Sequence, residues 1–301
     1  MAEGEILIFD RRALRRHRER AVRQGGAEFL LEETAERLAQ RLEDVTRRFP
    51  RALALGARGG VLARALADRG GIECLIEMEE GPGLLPAGAR CGLVAEAEAL
   101  PFARGSFDLV ASALTLHWTN DLPGALLQLR RTLRPDGLLL AALLGGETLG
   151  ELRNAFLEAE LELEGGASPH VSPMADGRDL AGLLQRAGFA LPVVDSDRLT
   201  VTYADAFALM ADLRAMGETN ALRERRRGFT RRATLLRMAE LYRERHGSAV
   251  GRIPASFEIV TLTAWAPHAS QPKPLAPGSA VARLADALGT QERPAGEKTG
   301  R

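Results

Sequence analysis

Residues 107–144 limit what this 301-residue chain can fold into more than any other stretch. Phe107–Ser112 (FDLVAS) is a short apolar run with a charge near its start, the pattern of a strand buried on both faces. From Asp121 to Leu133 the apolar residues Leu122, Leu126, Leu129 and Leu133 recur at helical spacing, with Asp121 near the positive N-terminus. Pro135 cannot continue that helix, and Gly137 suits a tight turn. Leu138–Leu144 (LLLAALL) is then a second buried strand. Buried strands joined through a helix run parallel, so the chain is α/β with helices over its sheet.

The same reading extends in both directions. An extended lead and a basic helix cover 6–21, and 1–27 forms an N-terminal basic segment. Its arginines either form a solvated face or lid over the domain, or meet an acidic partner or close over a bound ligand. Residues 29–49 read as a helix with Leu30, Leu31, Ala35, Leu38, Leu42 and Val45 on one side, stopped by Pro50. Arg51–Leu55 opens the first strand, and the turn Gly56-Ala57-Arg58-Gly59-Gly60 leads into a helix running to Arg69. The second strand is read at 72–77, and 81–88 carries no regular element. Helices follow at 149–163 and 176–187, a strand at 191–203 with a bend at 195–197, and an alternating strand at 256–265. Between those strands, 204–251 is an arginine-rich, mostly helical insertion expected to cap a ligand site. The domain is placed at 28–267, and 268–301 is a Pro/Gly-rich tail whose last ten residues are expected to be disordered.

Composition excludes several classes. Lys+Arg and Asp+Glu are both 40, so no global field selects nucleic acid or a membrane. Only Cys74 and Cys91 are cysteines, in no metal-type spacing, which fits a reducing cytosol. The histidines His17, His117, His170, His246 and His268 include no HxD/E pair, so no metal site is expected. No run approaches a membrane span, and no secretory signal pattern is present.

AEALPF, SFDLV and LRPDGLLL together resemble the second half of the class I S-adenosylmethionine (SAM) methyltransferase domain. LHWTNDLPGAL and GGETLGELR resemble the subfamily joining malonyl-acyl-carrier-protein methyltransferases to a respiratory complex I assembly factor. GGASPHVSP, DLRAMGETN, YRERHG and TAWAPHASQPKPLAPGSA resemble the assembly-factor branch, so the likeness runs over about 8–289. It implies a Rossmann-like seven-stranded sheet in the order 3-2-1-4-5-7-6 with the last strand antiparallel. It also implies that IFDRRALRRHRERA opens the family's mature portion, so a bacterial-type cytoplasmic protein without a long presequence is expected, peripheral to the inner membrane through its partner at most.

The resemblance further implies SAM contacts at Gly56, Ala57, Gly60, Glu77, Glu96, Ala97, Ala113 and Leu114. Glu77 would accept from both ribose hydroxyls, with Glu79 and Glu80 as alternatives two or three residues on; Glu96 would take the adenine amino group. The family text LDLGCGTG stands here as LALGARGG. Ala54 removes a carboxylate, and Arg58 places a cation where a glycine is usual, beside a cationic ligand. His117, Trp118, Glu147 and His170 are the candidates for substrate contact or proton handling; packed-loop, helix-capping and turn roles are the structural alternatives. The implied function is an enzyme acting on a protein substrate, a complex I subunit among the candidates, with arginine hydroxylation the activity of the branch. Alternatives are a non-catalytic assembly chaperone with a degenerate SAM site and a malonyl-acyl-carrier-protein O-methyltransferase. No nucleic-acid partner is expected.

Overall fold

A computed structural model describes residues 7–56, 58–272 and 284–291. Seven strands form one sheet in the order β3-β2-β1-β4-β5-β7-β6. They are β1 (Arg51–Leu55), β2 (Cys74–Glu79), β3 (Gly92–Val94), β4 (Phe107–Ala113), β5 (Leu133–Leu144), β6 (Ala190–Tyr203) and β7 (Ile253–Trp265). β1 to β5 pair in parallel, while β7 runs antiparallel to β5 and to β6. Strand order and the antiparallel β7 are as the resemblance implies.

Every residue of β4 is buried, and β5 divides its side chains between two cores. Leu138, Leu140, Ala142 and Leu144 meet α2 (Phe29–Glu43), α3 (Val61–Ala65) and α5 (Gly150–Glu164). Leu139, Ala141 and Leu143 meet α4 (Leu122–Thr132) and α6 (Gly177–Arg186). A strand clothed on both sides cannot alternate with polar residues, which is why LLLAALL is continuous. α1 (Arg11–Arg23) lies beyond the C-terminal ends of the parallel strands, near the 3-10 turn Pro82–Leu84, which lies in the stretch read as having no regular element. α7 (Ala206–Ala215) and α8 (Arg232–His246) come from the expected insertion and pack on α5, β6 and β7; the joining residues 216–231 are irregular rather than helical.

Several boundaries depart from expectation. β5 starts at Leu133 rather than Leu138: Leu133 already pairs with Phe107, and the turn read at 134–137 is a register shift within the strand. β7 starts at Ile253 rather than Ser256, because the end of β6 pairs with Ile253, Pro254 and Ala255. The helix read to residue 49 stops at Glu43, as Val45 and Thr46 are β-branched and fit a helix poorly. The helix read to Arg69 ends at Ala65, because Asp68, Gly70 and Gly71 all take positive φ. β2 begins two residues later than read, since the Glu73 and Cys74 amides both donate to the Pro50 carbonyl and hold 72–73 outside the ladder. The bend read at 195–197 is not there: β6 pairs continuously from Val193 to Tyr203, and the irregularity sits at Leu191 (φ 49°) beside Pro192.

Internal contacts divide the chain into Met1–Pro267 and His268–Arg301. The expected basic segment thus packs within the first unit. In the second, α9 (Leu284–Leu288) is a short helix, and His268 Nδ1 lies 2.7 Å from Ser270 Oγ. The tail residues expected to be disordered lie outside the described residues.

Candidate functional site

The turn after β1 carries the first functional geometry. Gly56 has φ 79°, and a Cβ there would fall 1.9 Å from Thr115 Oγ1, so no other residue fits. Gly60 has φ 82°, and Arg58 itself has φ 33°, a strained value for a residue with a side chain. Ala57 lies outside the described residues. The Arg58 amide donates to Glu79 Oε1 at 2.6 Å. Glu79 extends the β2 register past Met78, opposite Leu55, and so reaches the turn from the neighbouring strand. The carboxylate missing at Ala54, whose side chain is buried against α2 and α3, is thus supplied by β2. Burial pushes the Glu79 carboxyl up, against the pull of the Arg58 amide and of Arg18.

Above this turn lies a buried ionic cluster. Leu114, at the end of β4 with φ 47°, aims its carbonyl at two guanidinium groups: Arg58 Nη2 donates to it at 2.9 Å and Arg18 Nη2 at 3.3 Å. Arg58 also donates to the Met216 carbonyl and pairs closely with Glu218, from the loop after α7. Glu218 further receives Trp118 Nε1 at 2.7 Å and His117 Nε2 at 3.4 Å, with Arg18 at 3.7 Å. Burial opposes its ionisation, but Arg58, His117 and Arg18 outweigh that and hold its carboxyl far below the usual range. Burial, only partly offset by Glu218, pushes His117 down, so a neutral ring donates from Nε2 while Nδ1 accepts from the Leu144 amide at 3.4 Å. Arg18, 2% exposed, is lowered to about 10, chiefly by burial and then by Arg58.

α1 closes the cluster from above. Asp10 caps it by accepting from the Ala13 amide. Its arginines at 11, 15 and 18 share one face; Arg18 is buried, Arg11 is half-buried and Arg15 stays exposed at the edge. Arg11 binds Glu80 at 2.5 Å, the Trp118 carbonyl at 2.9 Å and Glu98 at 3.7 Å, and Arg15 reaches the Glu80 carbonyl.

Beside this charged half lies a different space. A cavity of about 300 Å³ opens between α5, α7, α8 and the loop at 170–174, lined chiefly by Leu, Met and Phe side chains. His170 reaches it, stacked on Phe156 with ring centroids 3.8 Å apart. Its Nε2 lies 2.8 Å from Glu160 Oε1, and Ser168 also donates to that carboxylate. Burial opposes ionisation of Glu160, yet His170 and Ser168 hold its carboxyl below the usual range. Glu218, Asn220 and Trp118 line the wall shared with the ionic cluster.

Among the residues named from the sequence, Gly56, Gly60, Ala113, Leu114, His117 and Trp118 gather at the crest of β1 and β4. Glu77 faces a separate hollow near Leu66, Cys74 and Arg90, and its Oε2 has no partner; burial pushes its carboxyl up. Glu96 is exposed beyond β3, while Ala97 is buried against the α4 side. Glu147 is exposed and makes no helix cap; its amide donates to Glu258. Arg18, Glu160 and Glu218 were not singled out, and Glu80, named as an alternative ribose partner, instead pairs with Arg11. The arginine face of α1 was readable in its spacing, whereas nothing local marks Glu218, which meets its partners only through the fold. Among the described residues no cluster of His, Cys, Asp and Glu is arranged to hold a metal ion.

Comparison with known proteins is consistent with this architecture. A methyltransferase-domain family matches residues 53–141. The mitochondrial arginine hydroxylase NDUFAF5 of Danio rerio is 40% identical, covering 93% of this chain and 89% of its own. The malonyl-[acyl-carrier protein] O-methyltransferase of Halorhodospira halophila is 36% identical, covering 88% and 91%. A Bacillus halodurans protein solved as a candidate methyltransferase shares the fold at 14% identity, with a TM-score of 0.54 over 78% of this chain and 100% of that one.

Proposed function

Because the chain belongs to the SAM-dependent methyltransferase family, on the branch it shares with the arginine hydroxylase NDUFAF5, we propose that it modifies a side chain of a protein substrate during respiratory complex I assembly. The observation that carries this reading is the extent of the likeness to that hydroxylase. It takes in the cap, and the cap walls the cavity. That cavity has room for one long side chain, and His170, oriented by Glu160, is the group we assign to contact it. His117 and Trp118 hold Glu218 and act as positioning residues. The compartment we propose is a reducing one, bacterial cytoplasm, since Cys74 and Cys91 are exposed and unpaired.

SAM does not fit the crest with α1 and Arg58 as they stand. Two guanidinium groups already take the Leu114 carbonyl, and the space beside them is about 40 Å³, room for about three waters and far less than SAM fills. We therefore derive no chemical step through it. SAM binding in this reading requires Arg58 and α1 to withdraw, and affinity for SAM is low in the closed form. The closed crest also favours a second reading, an assembly chaperone that kept the fold without catalysis.

Calorimetric titration of SAM and of its demethylated product against the native chain and Arg58→Gly tests the closure. Removing the guanidinium is expected to tighten SAM binding at least about tenfold, since a unit charge at close range is worth a few kcal/mol at an effective dielectric of about 20. Tight native binding with no gain in the variant would remove the closure argument. Mass spectrometry of a complex I subunit incubated with the chain separates the two functions: a gain of oxygen or of a methylene supports the enzyme, and an unmodified but bound subunit supports the chaperone.

A further inference from the structure

The loop after α7 carries a feature the cleft does not use. Phe229 is 99% exposed, and the glycine before it has no atom within reach of a Cβ. The aromatic ring therefore projects from a bare loop tip rather than lying in a groove. Around it the sequence runs RERRRGFTRR, with Glu224 the one acid in that run. Arg225 and Arg226 are engaged by Asp10 and Glu164. Arg223, Arg227, Arg231 and Arg232 are exposed and make no ion pair within 4 Å among the described residues.

The N-terminal segment continues the same surface. The Arg223 amide donates to the Ile8 carbonyl at 2.8 Å, and Phe9 bridges Leu222, which places Leu7 and Ile8, both exposed, beside the loop. α1 turns Arg12 and Arg16 outward, away from the face of Arg11 and Arg18, and among the described residues neither makes an ion pair. Arg16, Arg20 and Arg225 all act on His17, so the helix and the loop share one field. A neutral chain has thus gathered unpaired arginines and solvent-exposed apolar side chains on one face.

We propose that this face docks on an anionic lipid surface, with Phe229 inserted at the headgroup level and the arginines on the phosphates. The two signals are complementary: each basic residue near such a surface adds roughly 1 kcal/mol, about fivefold in partition, and the ring adds burial in the interface. A projecting ring without a surrounding groove matches a deformable interface better than the shaped pocket of a protein partner. The inference does not depend on what the cleft binds.

Vesicle co-sedimentation of the full chain tests it. Phosphatidylcholine vesicles with about one-third phosphatidylglycerol should retain the chain, and pure phosphatidylcholine should not. Retention should fall steeply with salt, as expected for charges screened over a Debye length. Phe229→Ala should lower the partition by about fivefold or more, and Arg227→Glu with Arg231→Glu by at least about tenfold, at unchanged circular dichroism. Equal retention on neutral lipid, no retention on either, or indifference to both variants overturns the proposal. Binding to polyglutamate without binding to anionic vesicles would assign the face to an acidic protein instead.

Discussion

The two halves of the sheet's crest solve opposite problems. Over β1, β2 and β4 the space is filled by charge: Arg18, Arg58 and Glu218 are buried and hold one another. Over β5, β7 and the cap the space is open and apolar, bounded by Leu152, Phe156, Met174 and Met210. Charge out of water tolerates one arrangement, because each ion needs its partners at hydrogen-bond distance. Apolar walls tolerate many, since dispersion and burial carry no direction. The first half is therefore a lock, and the second is an open space whose walls can repack.

Substitutions on the two sides measure that contrast. Glu218→Ala strands two buried guanidinium groups and should cost about 3–5 kcal/mol in denaturant unfolding. A loss below about 1 kcal/mol would mean that the arginines find water or other acceptors, and the lock would dissolve. On the apolar side Leu152→Ala enlarges an existing space and should cost about 2–3 kcal/mol, near the low end for a buried leucine. A larger loss there than at Glu218 would reverse the comparison.

Acid should act on the charged half. The folded pKa of His117 is depressed below its unfolded value of about 6.5, so its neutral form stabilises the fold above that pH and the contribution fades as pH falls below it. His17, also lowered by burial, and Glu218 act with the same sign, Glu218 below about pH 4.5. Glu79 is raised and acts oppositely: its contribution is present below its unfolded pKa and fades as pH rises through its folded one. The thermal midpoint should therefore drop between pH 7 and pH 5, and His117→Gln should flatten that drop without abolishing it. An unchanged slope would place the titration elsewhere. The smallest effect belongs to an exposed pair: Arg64→Ala breaks the Arg64–Glu28 contact and should change stability by about 0.5 kcal/mol or less. A cost comparable to that of Glu218→Ala would show that exposure does not divide these charges.

The sheet was legible because strands buried on both faces write themselves as apolar runs, as LLLAALL does. β2 slipped by two because Ile72 looks like strand, while the acceptor that excludes its neighbours, the Pro50 carbonyl, lies over twenty residues away. The glycine turn and the β4 crest were legible for steric reasons, Gly56 most of all. Arg58 was readable as a departure, but its destination was not, since Glu218 lies far along the chain. Glu160 escaped notice because an acidic residue in a helix ordinarily faces water, and only the folded loop brings His170 to it.

Glu218 has four partners, Arg58 has other acceptors, and this asymmetry sets an order on substitution history. A lineage that loses Arg58 first keeps Glu218 satisfied by Arg18, His117 and Trp118. One that loses Glu218 first must carry two uncompensated cations until both change. A change toward a glycine-rich turn therefore has a passable first step at position 58 and a steep one at position 218, so the cluster can be opened stepwise from one side only.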